Sequence, residues 1–203
     1  MPRRDTVIFD VGGVLLDWNP RHLYRKLFPG DEAAMEEFLA TVCTGEWNRR
    51  QDAGRRCAEA CALLKAAHPG KAALIDAYYD RFAEMIPGPI EGSRAILAEL
   101  DARGTPLYFL TNHSAETWPV SLPRFPFFAW FAGGIVSADH RILKPDPAIY
   151  RLLLDRYGID PRRAVFIDDV AANAQGAQAV GIHGIHFTSP DALRAELVEL
   201  GLL

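Results

Sequence analysis

An α/β fold, a doubly wound parallel sheet with a small all-helical second domain, is what this sequence predicts, and three observations lead to it. From about residue 90 onward, short apolar runs of strand length alternate with segments of helical period, a pattern that implies parallel strands joined by right-handed crossovers. Residues 18–88 break that rhythm, with helical patterning and no convincing strand. Two apolar runs, Val7-Ile8-Phe9 and Ala164-Val165-Phe166-Ile167, lead straight into aspartates, Asp10 and Asp168-Asp169. At 203 residues the chain is long enough for one full core plus an insert. The expected division is an α/β core of residues 1–17 and 89–203 and a helical unit of residues 18–88 over the carboxyl edge of the sheet.

Val7-Ile8-Phe9 is the first strand. Helical patterning then covers about 20–28, 31–43, 55–68 and 70–86, punctuated by Pro29-Gly30 and Pro69-Gly70. Pro87-Gly88-Pro89 and Gly92 form the hinge back. Residues 92–103 read as a helix on Ile96, Leu97 and Leu100, stopped by Gly104. There follow a strand at 106–110, a helix near 115–122, a strand at 134–136, a helix at 147–157, the strand 164–167, a helix at 171–180, a strand at 182–187 and a final helix at 190–200. The aromatic group Phe125, Phe127, Phe128, Trp130 and Phe131 precedes a core strand, so it is expected to pack under the sheet rather than face a ligand.

Composition narrows the function classes. The net charge of −4, from 22 basic and 26 acidic residues, gives no sign of the basic face that nucleic acid or an anionic membrane requires. No apolar stretch approaches the ~18 residues that span a bilayer. The start, Met1-Pro2-Arg3-Arg4-Asp5, leads into an apolar run too short for a secretory signal, and a cytoplasmic protein is expected. Cys43, Cys57 and Cys61 lack a C-x-x-C spacing and read as small core residues on helices. His183 and His186 fall on opposite faces of a strand, which argues against a shared metal. Oligomeric state is not legible.

In an open parallel sheet, ligands bind beyond the carboxyl ends of the strands. Four segments reach that edge with polar groups: Asp10-Val11-Gly12-Gly13, Thr111-Asn112-His113-Ser114, Lys144-Pro145-Asp146-Pro147 and Asp168-Asp169-Val170-Ala171-Ala172-Asn173. A carboxylate at Asp10, backed by two glycines that permit a tight turn, can attack phosphorus. The Thr111 hydroxyl can hold a phosphoryl oxygen, and Lys144 can pair with both nucleophile and phosphate. Asp168 and Asp169 offer the hard oxygens that Mg²⁺ prefers. Three carboxylates against one ammonium would repel a phosphate dianion, and a divalent cation cancels the excess. At an effective dielectric near 20, two unit charges ~4 Å apart interact by about 4 kcal/mol, enough to decide binding.

Taken in order, these segments resemble the four motifs of the haloacid dehalogenase superfamily, and the helical insert after the first is similar to that superfamily's first type of cap. The resemblance covers roughly residues 6–188. It implies a Rossmann-like fold and a Mg²⁺-dependent phosphatase acting on a small phosphorylated metabolite through an aspartyl-phosphate. Asp10, Thr111 and Lys144 would be catalytic. Asp10, the Gly12 carbonyl, Asp168 and Asp169 would hold the metal, and Gly12, Gly13, Asn112 and Arg49 would line the substrate.

One position departs from the pattern. Most phosphatases of the superfamily carry a second aspartate two residues after the nucleophile as general acid and base, and this chain has Gly12 there. Loss of such help typically costs about 10²–10⁴-fold in rate. A subgroup that includes bacterial sugar-phosphate phosphatases, among them an α-glucose-1-phosphate phosphatase, shares the D-x-G form, which suggests a sugar phosphate. His113 or a residue of the cap could take the missing role. In the cap, Trp47, Asn48 and Arg49, followed by Asp52-Ala53-Gly54, lie where a loop could reach over Asp10, and Arg49 or Arg50 could meet an acidic substrate group; packing of Trp47 in the bundle and capping of the next helix by Asp52 are the plain alternatives. Asp146 is either a helix-start residue ahead of Pro147 or a partner of Lys144, and Asn112 and Asn173 are either caps or supports of the site. Two other functions compete: a 2-haloacid dehalogenase, against which the paired acids at 168 and 169 speak, and a non-catalytic phosphometabolite-binding protein, prompted by Gly12.

Overall fold

Strands β1 (Thr6–Phe9), β2 (Leu107–Thr111), β3 (Gly133–Val136), β4 (Ala164–Asp168) and β5 (His183–His186) form one parallel sheet in the order β3-β2-β1-β4-β5. This computed structural model describes residues 4–203, so the reading of Met1-Pro2-Arg3 falls outside the described residues. The order reverses at β1: the chain winds toward β3 on one side and toward β5 on the other. The crevice beyond the carboxyl ends of β1 and β4 is therefore the switch point where open sheets place ligands. Phe9 lies opposite Ile167 in the register of β1 and β4, which brings Asp10 level with Asp168.

The helices are α1 (Arg21–Leu27), α2 (Glu32–Thr41), α3 (Gly45–Asp52), α4 (Cys57–Ala67), α5 (Ala72–Asp80), α6 (Glu91–Ala102), α7 (Trp118–Ser121), α8 (Ser137–His140), α9 (Pro147–Tyr157), α10 (Ala171–Gln178) and α11 (Pro190–Glu199). Alternation along β1 and β4 sends Val7, Phe9, Val165 and Ile167 to one face and Ile8 and Phe166 to the other. The first face packs on Ile96, Leu97 and Leu100 of α6 and on Leu193 and Leu197 of α11. The second packs on Ile149, Tyr150 and Leu153 of α9 and Ala177 of α10. All of these side chains are essentially inaccessible, which is why β4 carries no polar residue before its last position, Asp168.

Helices α1 to α5 all lie between β1 and β2 in the chain. Their own core, Tyr24, Met35, Phe38, Ile75 and Tyr78, is continuous with the first face of the sheet. Arg124 joins the two by donating to the Ala83 and Ile86 carbonyls at 3.0 and 2.9 Å. Trp47 packs at 5.1 Å from Tyr78 and 5.5 Å from Tyr79, inside the bundle. The aromatic group after α7 packs beneath the sheet, with Phe131 edge-on to Phe9 at 6.3 Å and to Phe109 at 5.6 Å.

The structure departs from sequence expectation in a few local places. Gly45–Asp52 is helical although its run of polar residues carries no apolar period; the Thr44 hydroxyl caps it by accepting from the Trp47 N–H at 3.0 Å. The single helix expected at 70–86 is α5 flanked by 3-10 turns at Pro69–Lys71 and Phe82–Met85. The one expected near 115–122 shrinks to α7 followed by 3-10 turns, because Pro119, Pro123 and Pro126 remove the N–H groups a longer helix needs. Helix α8 was not anticipated. All three cysteines are buried free thiols.

Candidate active site

Asp10, Gly12, Gly13, Thr111, Asn112, Lys144 and Asp169 border one cavity of about 590 Å³ between the sheet edge and helices α2, α3 and α5. Lys144 is fully buried, and its ammonium donates to Asp10 Oδ1 at 2.8 Å and to Asp168 Oδ2 at 2.7 Å. Asp10 Oδ1 also accepts from the Val11 N–H at 2.7 Å. Asp168 Oδ1 accepts from the Val170 N–H and from Asn173 Nδ2, both at 2.9 Å. Asn173 is thus a support of the acid cluster, whereas Asp146 caps α9 by accepting from the Ala148 N–H at 2.9 Å.

Electrostatics show a cluster short of positive charge. Burial pushes the Asp10 carboxyl up to about 8; Lys144 draws it down, and Asp168 adds to the rise. Burial and then Asp168 also raise Asp169. Burial would lower Lys144, yet the two carboxylates beside it outweigh that and hold its proton more tightly than usual. One ammonium does not offset the desolvation of this group.

The carboxylates of Asp10, Asp168 and Asp169 each offer an oxygen within 4.8 Å of the others, with no nitrogen or sulfur ligand among them. An all-oxygen, anionic donor set suits a hard dication such as Mg²⁺. Gly13 allows this closeness. It sits at φ +75°, and a Cβ there would lie 2.3 Å from Asp169 Oδ2. Gly12 differs: a Cβ at that position would meet only Trp18 Cβ, at an ordinary 3.6 Å.

Two residues assigned to the substrate do structural work as well. Asn112 donates from Nδ2 to the Lys144 carbonyl at 3.1 Å and accepts at Oδ1 from the Lys144 N–H at 2.9 Å, so its amide is committed to fixing the lysine's main chain. Arg49 reaches from α3 to the same carbonyl at 3.2 Å while bordering the cavity. Arg50 is exposed, its nearest acid Glu46 at 3.7 Å.

His113 faces the cavity with its Nδ1 3.0 Å from the Ser114 carbonyl and 3.2 Å from Thr117 Oγ1. Burial pushes its pKa down to about 4, so the ring stays neutral. Between about 4 and 6.5 the unfolded chain takes up a proton that the folded chain refuses, so stability falls as the pH drops through that window. His113→Gln is expected to flatten the acid side of the stability profile, read as urea midpoints.

For Asp52 the sequence left two places open, a segment reaching over Asp10 and the cap of the next helix, and the structure takes the first. It does not cap α4, whose N-cap is Arg56 with no side-chain bond. It ends α3, borders the cavity and accepts from Asn48 Nδ2 at 3.1 Å. The helix α3, where a loop was expected, turns Asn48, Arg49 and Asp52 toward one side.

Comparison with known proteins gives a consistent picture. The profile of the haloacid dehalogenase-like hydrolase family matches residues 4–181. Over 96% of its length the chain is 27% identical to mouse acyl-CoA dehydrogenase family member 10, though it spans only 19% of that protein. It is 28% identical to the sesquiterpene phosphatase astK of Aspergillus oryzae, covering 95% of this chain and 94% of that one. In fold it is similar to a HAD-like family hydrolase of Porphyromonas gingivalis, with a TM-score of 0.75, 22% identity and 98% of each chain covered. A HAD family enzyme of Bacteroides thetaiotaomicron, solved with magnesium and inorganic phosphate, matches with a TM-score of 0.69 at 23% identity over 92% of this chain and 95% of that one. With the five-stranded order, the acid cluster at its switch point and a family profile spanning most of its length, the chain belongs to the haloacid dehalogenase-like hydrolases.

Proposed function

We propose that this hydrolase is a Mg²⁺-dependent phosphatase of a small phosphorylated metabolite, working through an aspartyl-phosphate at Asp10, with residues 18–88 serving as a cap over the site. The observation that carries this reading is the clustering of Asp10, Lys144, Asp168 and Asp169 at the sheet's switch point, where Asp10, Lys144 and Asp169 border one cavity. Likeness to the Aspergillus phosphatase over nearly its whole length supports it, as does 28% identity over 63% of the chain to the phosphoglycolate phosphatase of Yersinia pseudotuberculosis, 60% of which is covered. The paired acids at the end of β4 favour phosphorus over carbon as the point of attack.

Asp10, Asp168 and Asp169, with the Gly12 carbonyl, would hold Mg²⁺, which supplies two positive charges opposite the phosphate dianion. Lys144 steadies the Asp10 carboxylate and meets a phosphoryl oxygen, and the Thr111 hydroxyl at the end of β2 meets another. Asp10 attacks phosphorus, the ester oxygen departs, and water then attacks the phosphorus of the acyl-phosphate to restore the carboxylate. Substrate enters between the core and the helical insert. The walls there are mixed: Trp18, Leu39 and Phe82 are apolar, while Asn48 and Arg49 are polar. They accommodate a compact organic group such as a sugar.

Hydrolysis of p-nitrophenyl phosphate is the direct test. The expected result is turnover that needs added Mg²⁺ and stops with EDTA; chloride release from 2-chloropropionate in EDTA, with no phosphate release from any ester, would point to dehalogenation instead. Gly13→Ala should push Asp169 aside and weaken Mg²⁺ by roughly 10–100-fold, measured as the Mg²⁺ concentration that half-saturates a thermal shift. An unchanged midpoint would remove Asp169 from the metal site.

A further inference from the structure

We propose that Asp52, at the end of α3 in the helical insert, is the general acid and base of this site and takes the role left open by Gly12. The inference rests on the phosphatase reading above and deepens it. Asp52 shares the cavity with Asp10, Thr111 and Lys144, so a phosphate ester held by those groups has its ester oxygen on the side of the insert. Two contacts fix the residue, and each partner is itself held. Asn48 Nδ2 donates to its carboxyl at 3.1 Å, and Tyr79 in turn donates to Asn48 Oδ1 at 3.0 Å. The Asp52 carbonyl accepts from Ser137 Oγ at 2.6 Å, and Ser137 Oγ accepts from the His113 N–H at 3.0 Å, which ties the end of α3 to the loop after β2.

The surroundings put a proton on this carboxyl. Burial pushes it up to about 8, against the pull of Arg49 on its own helix, the Ser114 N–H of the loop after β2 and Lys144 ahead of α9. Facing it from the other packed elements are Cys57 of α4 and Tyr78 and Tyr79 of α5, all of which burial keeps as neutral groups. The neighbouring His113 is also neutral, its pKa down at about 4, and has no acidic proton to give near neutrality. Asp52 is the acid bordering the cavity that lies outside the metal cluster and can both lose and regain a proton in the physiological range.

In the first step an Asp10 oxygen forms a bond to phosphorus, the bond from phosphorus to the ester oxygen breaks, and that oxygen takes the Asp52 proton and leaves as an alcohol. In the second, water gives a proton to the Asp52 carboxylate as its oxygen bonds to phosphorus, and the bond to Asp10 breaks. Inorganic phosphate departs with Asp10 ionised and Asp52 protonated again.

The test compares leaving groups. A nitrophenolate departs without a proton and an alkoxide does not, so Asp52→Asn should lower kcat/KM for an alkyl phosphate such as glycerol phosphate by about 10²–10³-fold and for p-nitrophenyl phosphate by less than about 5-fold. The alkaline limb of the wild-type kcat profile on the alkyl ester should disappear in the variant. Adding Gly12→Asp to Asp52→Asn should restore much of the alkyl rate, because a side chain at position 12 meets no close neighbour. Equal losses on both esters, or no loss on either, would overturn the assignment. Should Asp52→Asn melt early, Asp52→Ser and Asp52→Glu, assayed on both esters well below their melting points, carry the same comparison. A wild-type protein inactive on both esters would instead overturn the phosphatase reading itself.

Discussion

Asp10→Asn is expected to leave the protein folded and to take phosphatase activity to background, a fall of roughly 10⁴-fold or more. Asparagine keeps the shape of the residue and the oxygen that accepts from the Val11 N–H, but it has no anionic oxygen with which to attack phosphorus. Stability should move the other way. A carboxyl raised from 3.8 to about 8 favours the folded state when protonated, and that contribution is lost as the pH rises from the unfolded value through the folded one. The amide has no such dependence. Without divalent metal, the variant should therefore match the wild type near pH 4 and melt progressively higher than it toward pH 8, the behaviour of a site that gives up stability for function. Added Mg²⁺ should close that gap by stabilising the wild type alone. Activity within about 10-fold of wild type, or transfer of radioactive phosphate to the variant, would remove Asp10 as the nucleophile.

Much of this architecture was legible because its periods are unambiguous. Strands β1 and β4 are buried on both faces and read as unbroken apolar runs, and each ends where Asp10 or Asp168 appears. Helices α6 and α9 carry apolar residues at helical spacing and end in glycine at positive φ or one residue before it, which is why their bounds fall within a residue of expectation. Helix α3 escaped because its burial is uneven: within Gly45–Asp52 only Gln51 is fully buried, held by Arg55 and Tyr79 rather than by apolar neighbours. A helix stabilised by a cap and by polar contacts leaves no hydrophobic stripe to detect.

The sheet-edge half of the site was equally accessible, since in a parallel sheet the position just after a strand fixes both the location and the direction of a side chain. Asp10, Thr111, Asp168 and Asp169 were placed that way. The insert's half was legible only as a segment, residues 47–54, that could reach over Asp10 with Arg49 toward the substrate. Arg49 meets the Lys144 carbonyl and Asp52 meets the cavity only through packing between segments about 90 residues apart, and no spacing rule within either segment specifies such a meeting. The gap at Gly12 was the available signal: a missing acid in the core directs attention to an acid on the opposite wall.

Lys144→Met should have the largest effect on stability, and in the opposite sense to Asp10→Asn. The ammonium is the cation shared by two buried carboxylates, at 2.8 and 2.7 Å, and none of its side chain reaches solvent. Methionine fills the volume without the charge, and stranding buried acids in this way costs about 3–5 kcal/mol. For a chain of this size that is a fall in Tm of roughly 6–20 °C near neutral pH. The main chain should stay where it is, because Asn112 and Arg49 hold the peptide groups of residue 144 rather than its side chain. Lost charge then accounts for the change, and its signature is pH dependence: acid neutralises Asp10, whose carboxyl burial raises to about 8, so the deficit should shrink toward about pH 4 and widen toward about pH 8. Phosphatase activity should fall by about 10²–10³-fold or more, because neither the nucleophile nor the phosphoryl oxygens keep their counter-charge. A variant that melts with the wild type at every pH would mean that the acids at the ends of β1 and β4 do not depend on this lysine, and the electrostatic account of the site would fail with it.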